Sequence, residues 1–310
     1  NYKYKFEVSN EDKKTYIIGV VCPEVSSMYY ADILNSLQIN FLKAGYKCVV
    51  MISNFDQEQE KSCIKSLINM NVYGIVFFTE NELDIDFLKS VSSASGITFV
   101  IVSNNNSNDF CDNICIDDHQ SVSIAVSHLV ELKHTRIGYI GDALSVSRRN
   151  SYIQTLKNNG IPIISEYIVE NEWRFEECGY YGMKKLLALK NPPTAIFAAY
   201  DNIAFGAMRA IYESGFSIPE DFSVIGIDNI KTSSYLYKAL TSVTEPTSDL
   251  GELASELMIE KMHKQTAVRH IKLIPTLNKR ETTAVSKESQ KEPHIQDDIG
   301  SETGHEDLHE

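Results

Sequence analysis

Two short apolar runs near the middle of the chain each end in polar or aromatic side chains that could contact a ligand. Tyr200 and Asp201 follow the run Ala195–Ala199, and Asp228 follows the run Phe222–Ile227. Apolar residues at helical spacing lie between the runs, which predicts a strand–helix–strand unit with parallel strands. Ligands of open parallel sheets bind beyond the carboxyl ends of the strands. We therefore expect Asp228 to accept hydrogen bonds from sugar hydroxyls or ring N–H groups, with a turn or helix-capping role as the alternative.

Four other polar positions each have two interpretations. Asp201 is expected mainly to cap the following helix by accepting from its first N–H groups, with ligand contact as the alternative. Gln120 lies on a predicted long helix, where it either reaches the cleft or lies on the solvated face. Asn54 and Asp56 follow the second predicted strand, where they either line the rim of the cleft or cap the next helix.

No motif in the sequence indicates catalysis or a bound cofactor. A G-x-G-x-x-G fingerprint, a P-loop, a metal-spaced His cluster and a G-x-S-x-G elbow are all missing. His119, His128 and His134 lie on or beside one predicted helix, where surface or packing roles are favoured over catalysis. The six cysteines fall mostly in apolar or helical stretches without metal-site spacing, so we expect structural thiols in a reducing cytoplasm. We therefore expect no enzyme, no cofactor and no metal.

Composition limits the class of protein further. The 310 residues are enough for two domains, the 43% hydrophobic content supports a sizeable core, and no apolar run approaches the ~20 residues that span a bilayer. The formal charge is −13, and Lys and Arg form no basic stripe. Because an acidic surface repels phosphate backbones, this chain by itself is not expected to grip nucleic acid, and no membrane contact is expected.

The chain alternates predicted strands and helices in two successive blocks. The first block has strands at Tyr16–Cys22, Lys47–Ile52, Val72–Phe78, Ile97–Val102 and Asn113–Ile116, and helices at Tyr30–Ala44, Asp56–Met70, Asp84–Ser93 and Asp118–Leu132. The second block has strands at Arg136–Gly141, Tyr167–Glu170, Ala195–Ala199 and Phe222–Ile227, and helices at Ser147–Asn159, Glu176–Leu189 and after Asp201. This alternation predicts an α/β fold with two similar doubly wound parallel-sheet lobes.

A late helix, Leu250–His263, follows the second block and indicates that the chain returns to the first lobe. Several parallel connections would then hinge a ligand cleft between the lobes. We predict a linker at 1–14, an N-terminal lobe at 15–133 plus 246–273, and a C-terminal lobe at 134–245 plus 274–284. Residues 285–310 are predicted to be a disordered acidic tail, since residues 286–310 hold eight acidic and only two basic side chains. A partner-binding tail is the alternative.

Several separated motifs together resemble those of one family. They are IGVVCPEVSSMYYADIL, NVYGIVFF, IDDHQSVSIAVSHLVELKHTRIGYIG, RRNSYIQTLKNNGI, PTAIFAAYDNIAFGAMRAI, SIPEDFSVIGIDN, LTSVTEP and RETT. From Thr15 to about Ala284, the sequence resembles the effector-binding core of the lactose-repressor/galactose-repressor (LacI/GalR) transcription regulators. Each motif is weak alone, and their colinear order carries the resemblance.

The resemblance implies a periplasmic-binding-protein-like type I fold in a cytoplasmic homodimer that regulates transcription. It implies that the two lobes close on a small-molecule effector, which would be a sugar, a sugar phosphate or a nucleobase-like compound. It also implies that operator DNA is bound only through an N-terminal helix-turn-helix domain, and Asn1–Tyr2 resembles the end of that domain's last helix. The helices Tyr30–Ala44 and Leu250–His263 are candidate dimer surfaces. A solute-binding protein of a sugar transport system shares the two-lobed architecture and is the alternative, although the cysteines and the Asn-Tyr start argue against it.

The resemblance assigns three ligand contacts in the second lobe. Arg148 matches the family's effector-contacting arginine, whose guanidinium offers donors to hydroxyls or a carboxylate, and a solvated arginine is the alternative. Trp173 aligns with an aromatic position that stacks on ligand rings, with half-buried packing as the alternative. Tyr200 stands where many relatives have Asn and supplies a ring and one O–H in place of an amide. The identity of the effector therefore cannot be transferred from sugar-binding relatives.

The loop after the first strand resembles the family's ligand loop, Asp-x-Ser-Asn-Pro-Phe-Phe, with three departures. Glu24 replaces Asp, Ser27 replaces Asn, and Met28 replaces Pro. The loop and the following helix N-terminus would present free N–H groups to a polar ligand. Tyr29 is the aromatic candidate of this loop, with core packing as the alternative.

Overall fold

The structure, a computed structural model, describes residues 16–104 and 108–289. Its strands form two six-stranded sheets, one in each of two lobes, as the alternation of strands and helices predicts. The predicted linker at 1–14 and residues 290–310 of the predicted tail lie outside the described residues. Within the described residues, no helix is long and apolar enough to cross a bilayer.

The first sheet is parallel throughout. Its strands are β1 (Tyr16–Cys22), β2 (Tyr46–Ile52), β3 (Gly74–Phe78), β4 (Thr98–Val102), β5 (Asp112–Ile116) and β11 (His270–Leu273), in the order β11-β5-β4-β3-β1-β2. The helices α1 (Met28–Lys43), α2 (Gln57–Asn69) and α3 (Ile85–Ser95) connect them. Alternate strand residues enter two separate apolar clusters, because successive side chains of a strand point to opposite faces.

The second sheet repeats this arrangement with one antiparallel edge. Its strands are β6 (Ile137–Asp142), β7 (Ile168–Asn171), β8 (Ala195–Ala198), β9 (Ser223–Asp228), β10 (Thr241–Thr244) and β12 (Thr276–Asn278), in the order β12-β10-β9-β8-β6-β7. The helices are α5 (Val146–Asn158), α6 (Phe175–Leu187) and α7 (Asp201–Glu213). The pair β10–β12 is antiparallel, and the other neighbours are parallel.

Two further helices determine how the lobes are connected. The helix α4 (Asp118–Glu131) packs on the second sheet, with Val122, Ala125, Val126 and Leu129 in its core. The chain therefore passes between the lobes before α4, whereas the predicted boundary at residue 133 places this helix in the first lobe. The helix α8 (Thr247–His263) packs against α1 and the first sheet, so the late helix does return to that lobe.

Residues 285–289, predicted to begin the disordered tail, pack on the second lobe instead. The amide of Ser286 donates to the carbonyl of Leu132 at 2.8 Å. Glu288 pairs with Arg136 at 2.6 Å, and Lys287 pairs with Asp221 at 3.0 Å. Backbone and charge contacts hold this segment although it has little apolar surface to bury.

Candidate functional site

A cavity of about 160 Å³ lies between the two lobes, at the carboxyl ends of both sheets. Side chains of the first lobe reach it from the segments after β1 and β3, among them Glu24 and Glu80. Side chains of the second lobe reach it from the ends of β6 and β9, among them Asp142 and Asp228. Because the carboxyl ends of parallel strands share one edge of a sheet, residues far apart in sequence meet here.

Arg148 occupies the second-lobe wall of the cavity, and each of its three side-chain nitrogens donates to a protein acceptor. Its Nε donates to Asp118 at 2.9 Å, and its Nη1 donates to the carbonyl of Ala199 at 2.8 Å and to Asp228 at 3.4 Å. Its Nη2 donates to both carboxylate oxygens of Glu245, at 3.1 and 3.2 Å. Burial lowers the pKa of Arg148, but the three carboxylates outweigh it and raise the pKa well above its usual value. The guanidinium is thus engaged by protein groups at all three nitrogens.

Asp228 lies on the cavity wall at the end of β9, with its side chain 9% exposed. Burial raises its pKa, and Arg148 opposes that rise. The backbone of Asp228 has φ of 101° and that of Asn229 has φ of 52°, so this turn lies in the left-handed region that non-glycine residues rarely adopt. The turn is held by Asp201, which accepts from the amide of Ile230 at 3.0 Å. The hydrogen bond to Asp201 therefore stabilises the strained turn.

A salt bridge between Glu24 and Arg174 connects the two lobes across the mouth of the cavity. The Nη1 and Nη2 atoms of Arg174 donate to the two carboxylate oxygens of Glu24, at 2.7 and 3.0 Å. The guanidinium also lies 4.5 Å from the ring centroid of Phe175 and 5.4 Å from that of Phe55. Such two-pronged arginine–carboxylate pairs are strong and geometrically specific. A wider opening, lined in part by Glu24, Phe55 and Arg174, adjoins the cavity on the other side of the pair.

Tyr200 and Asp142 form a second polar cluster on the wall. The hydroxyl of Tyr200 donates to Asp142 at 2.7 Å and accepts from the amide of Phe175 at 3.1 Å. Burial and the charge of Asp142 raise the pKa of Tyr200, so its hydroxyl stays protonated. With that hydroxyl engaged, the ring of Tyr200 is the part that faces the cavity.

On the first-lobe wall, Tyr30 and Glu80 face the ionic cluster of Arg148. The hydroxyl of Tyr30 donates to Glu80 at 3.1 Å, and the ring of Tyr29 lies edge-on to that of Tyr30, with centroids 5.1 Å apart. The Glu80 side chain is accessible from the cavity, but burial and the charge of Asp118 raise its pKa to about 7. A carboxyl with such a pKa titrates near neutral pH.

Six of the nine side chains predicted to bind a ligand line the cavity, namely Glu24, Ser27, Tyr29, Arg148, Tyr200 and Asp228. Ser27 also caps α1 by accepting from the amide of Tyr30 at 3.3 Å, so the helix begins at Met28, before the predicted start. The other three, Trp173, Gln120 and Asp201, do not line it.

Trp173 and Gln120 do not reach the cavity, because their side chains leave the backbone in another direction than those of the lining residues beside them. Arg174 has an extended backbone, and neighbouring side chains of an extended segment point to opposite sides, so Arg174 enters the cavity and Trp173 does not. Trp173 is 54% exposed and packs against Tyr181, with ring centroids 5.9 Å apart. On α4, Asp118 faces the cavity, and Gln120 lies two residues further around the helix.

Asp201 is buried and neither caps α7 nor contacts the cavity. The N-cap residue of α7 is Tyr200, which makes no side-chain capping bond. The carboxylate of Asp201 instead accepts from the hydroxyls of Ser233 and Ser242 as well as from the Ile230 amide. Burial raises its pKa to about 7. The predicted capping role is therefore wrong, and the residue supports the turn that presents Asp228.

Several other positions have capping or packing roles. Asp56 caps α2 by accepting from the amide of Gln59 at 2.7 Å, while Asn54 lies at the wider opening. His134 is buried and bonds Thr194 and Ser223 at 2.9 and 3.1 Å. The six cysteines, all within the described residues, are free thiols. Among the described residues, no group of His, Cys, Asp and Glu side chains could hold a metal ion.

Sequence reasoning missed four charged residues of the site. Glu80 and Asp142 follow or end buried strands, as Asp228 does, so the strand-end rule could have found both. Asp118 begins a helix, and Arg174 precedes one. Their side chains were not predictable from strand ends, because the direction of each depends on the local backbone.

Most of the chain is similar to known proteins. Residues 126–283 match the family model described as a periplasmic binding protein-like domain. The catabolite control protein A of Priestia megaterium is 29% identical over 272 residues, which cover 85% of this chain and 80% of that protein. The HTH-type transcriptional repressor PurR of Mannheimia succiniciproducens is 30% identical over 268 residues, with the same two coverages of 85% and 80%.

A solved structure shows the same similarity in three dimensions. The lac repressor dimer bound to operator and the anti-inducer ONPF is 25% identical, with a TM-score of 0.76. The match covers 88% of this chain and 96% of that chain. The similarity therefore extends over both lobes.

Proposed function

This chain belongs to the LacI/GalR family of transcription regulators, and we propose that it is the effector-binding, dimerising core of such a regulator. Members of this family regulate transcription and are not enzymes. The observation that carries the proposal is the cavity walled by both lobes and bridged by Glu24 and Arg174. A small molecule held there contacts both lobes only when they are closed, so its differential affinity favours the closed state.

The proposed ligand contacts come from both lobes. They are Glu24, Ser27, Tyr29, Arg148, Tyr200 and Asp228, to which the cavity adds Glu80, Asp142 and Arg174. Within this set Arg148 acts mainly by fixing the carboxylates around it, since its donors are already engaged. For the lobes we propose the predicted boundaries, with α4 moved to the C-terminal lobe according to its packing.

Dimerisation and operator binding are part of the proposal. The lac repressor relative is a dimer on operator DNA, and we carry both properties to this protein. The PurR relative is named an HTH-type repressor, and we propose that DNA is contacted through such a helix-turn-helix domain, because the net charge of −13 on this chain opposes contact with phosphates. Closure of the lobes would change the spacing of the paired DNA-reading domains in the cytoplasmic regulator. Sedimentation should give twice the chain mass of 35.0 kDa, and a monomer at all concentrations contradicts the dimer.

Effector binding is tested by isothermal titration with a panel of sugars, amino sugars, nucleosides, nucleobases and sugar phosphates. At least one compound should bind, and Asp228→Asn should weaken its binding about tenfold or more, since a charged acceptor is lost. Asp221→Asn is the matched control, because Asp221 belongs to the same lobe but does not line the cavity. Lack of binding by every member of the panel contradicts the proposed function.

A further inference from the structure

We propose that the effector carries a protonated amine on a ring-sized polar scaffold, which places it in the class of amino sugars. The inference rests on the proposed effector-binding function and narrows it to one chemical class. Four properties of the cavity support it: the engaged arginines, the excess of carboxylates, the aromatic walls and the size.

The arginines of the cavity have few donors left for a ligand. All three side-chain nitrogens of Arg148 donate to acceptors, on Asp118, Ala199, Asp228 and Glu245. Three N–H groups of Arg174 meet acceptors on Glu24 and Asp142. A ligand that needs donors from the protein, such as a phosphate or a carboxylate, would have to break these bonds. The arginines therefore offer a ligand few donors, and the other polar donors of the lining include the hydroxyls and amides of Ser27, Ser145, Ser147, Asn104 and Asn202.

The charges of the cavity also favour a cation. Of the described residues that line it, five are carboxylates and two are arginines. The carboxylates are Glu24, Glu80, Asp118, Asp142 and Asp228. An ammonium group offers three donors and no acceptor, so it matches an acceptor-rich and negatively charged wall better than a neutral hydroxyl does. An anion offers acceptors in place of donors and carries a negative charge, so it matches this wall poorly in both respects.

Five of the other lining residues are aromatic. The rings are those of Tyr29, Tyr30, Phe55, Phe175 and Tyr200. The faces of aromatic rings attract cations, and two of these rings already lie next to the guanidinium of Arg174. The same rings suit the apolar C–H faces of a sugar. The volume of about 160 Å³ resembles that of an engineered cavity of roughly 150 Å³ that holds benzene, which favours one ring over a disaccharide.

The titration of Glu80 provides a second readout for this inference. Among the described residues, Asp118 and Glu245 repel the negative charge of Glu80, and Tyr30 and Arg148 stabilise it. Since its pKa is about 7, the carboxyl is partly protonated at neutral pH when the cavity holds no cation. An ammonium group nearby would lower that pKa and release a proton into the buffer.

The test uses matched sets that share one sugar and differ in one group. Glucose, glucosamine and glucose 6-phosphate form one set, and galactose, galactosamine and galactose 6-phosphate form the other. Isothermal titration of the full chain near neutral pH, in two buffers of different ionisation enthalpy, gives both Kd and the number of protons released. We expect the amine in at least one set to bind about tenfold more tightly than its neutral parent, with proton release and no binding of the phosphate.

Glu80→Gln tests whether the preference for the amine depends on the negative charge of Glu80. The glutamine keeps an oxygen that accepts from Tyr30, so the fold should be retained, and thermal melting checks this. The ratio of amine to neutral-parent affinity should fall about tenfold, whereas a structural defect would weaken both ligands equally. Glu82→Gln, on the exposed loop that follows, is the matched control and should leave the ratio unchanged.

The outcomes separate this inference from the proposed function. Tighter binding of a neutral sugar or of a sugar phosphate overturns the amine and leaves the effector-binding function intact. Absence of binding by both sets overturns the amino-sugar class, and binding by another member of the wider panel then decides the function. An unchanged affinity ratio in Glu80→Gln also contradicts the inference.

Discussion

At the scale of single residues, Arg148 neutralises a cluster that would otherwise be strongly negative. Its side chain is 16% exposed, and its partners Asp118, Asp228 and Glu245 are similarly or more deeply buried. The partners lie 30, 80 and 97 residues away in sequence, so the cluster links α4, β9 and the segment after β10 to α5. Removal of one member of such a buried group leaves the others with uncompensated charge.

We therefore expect Arg148→Met to lower the free energy of unfolding by about 3–5 kcal/mol near neutral pH. The loss should shrink in acid, because protonation of the three carboxylates removes their charge. Urea denaturation followed by circular dichroism measures both effects. The neighbouring substitution Arg149→Met removes an ion pair with Glu170 whose members are 29% and 37% exposed, so it should change stability by no more than about 1 kcal/mol. Equal effects of the two substitutions contradict the role given to Arg148.

Glu80 makes stability depend on pH with a definite sign. Its pKa is 4.5 for a free side chain and about 7 in the folded protein, so the folded state binds more protons between these values. The contribution of Glu80 to stability is full below the lower value and is lost as the pH rises through the higher one. Relative to wild type, Glu80→Gln should gain stability progressively between about pH 5 and pH 8. Chemical denaturation across this range measures the difference, and a difference that does not vary with pH would contradict the shifted pKa.

At the scale of elements, α6 and α7 approach closely because glycines face each other across their contact. A methyl group on Gly179 would overlap the carbonyl oxygen of Ile203, and one on Gly206 would overlap that of Glu176. These two helices begin directly after the cavity residues Arg174 and Tyr200. Their packing therefore sets the distance between two walls of the site.

Gly206→Ala should force the two helices apart and destabilise the protein by about 1–3 kcal/mol, the usual range for overpacking a close contact. Thermal and urea denaturation measure the loss. Arg209→Ala, whose side chain is 75% exposed on the same helix, is the control and should change stability by less than about 0.5 kcal/mol. A Gly206→Ala variant as stable as this control would show that the helices can separate at no cost.

The same scale shows how far sequence could predict the site. Apolar runs bounded by turns located the strands β1 to β9, because a buried parallel strand is apolar on both faces. The strand-end rule then brought Asp228 and Tyr200 to the cavity. Trp173 and Gln120 do not line the cavity, whereas Arg174 and Asp118, close to them in sequence, do. A shift of one residue in an extended segment reverses the direction of a side chain, and a shift of two residues in a helix rotates it. The direction of each side chain depends on the exact backbone conformation, which composition and spacing do not determine.

At the scale of the whole molecule, the Glu24–Arg174 pair connects lobes that the chain joins only through a few crossings. Arg174 lies between Phe55 of the first lobe and Phe175 of the second, so apolar and ionic contacts coincide at one point. Phe55 and Phe175 have φ of 61° and 55°, which places both in the left-handed region. Backbone strain of this kind persists where surrounding contacts hold it, and here the guanidinium of Arg174 lies against both rings.

Loss of this pair should shift the unliganded protein toward an open arrangement. Glu24→Gln and Arg174→Met should each increase the radius of gyration measured by small-angle X-ray scattering, and the double variant should open no further than the more open single variant. A charge-assisted bond of about 1.5–3 kcal/mol corresponds to a change of more than tenfold in the ratio of closed to open molecules. The pair Arg149–Glu170, which lies within one lobe at 2.6 Å, provides the control, and Arg149→Met should leave the scattering curve unchanged. Superimposed scattering curves for wild type, both single variants and the double variant would show that other contacts close the lobes. The ionic bridge would then have no part in setting the balance between open and closed states.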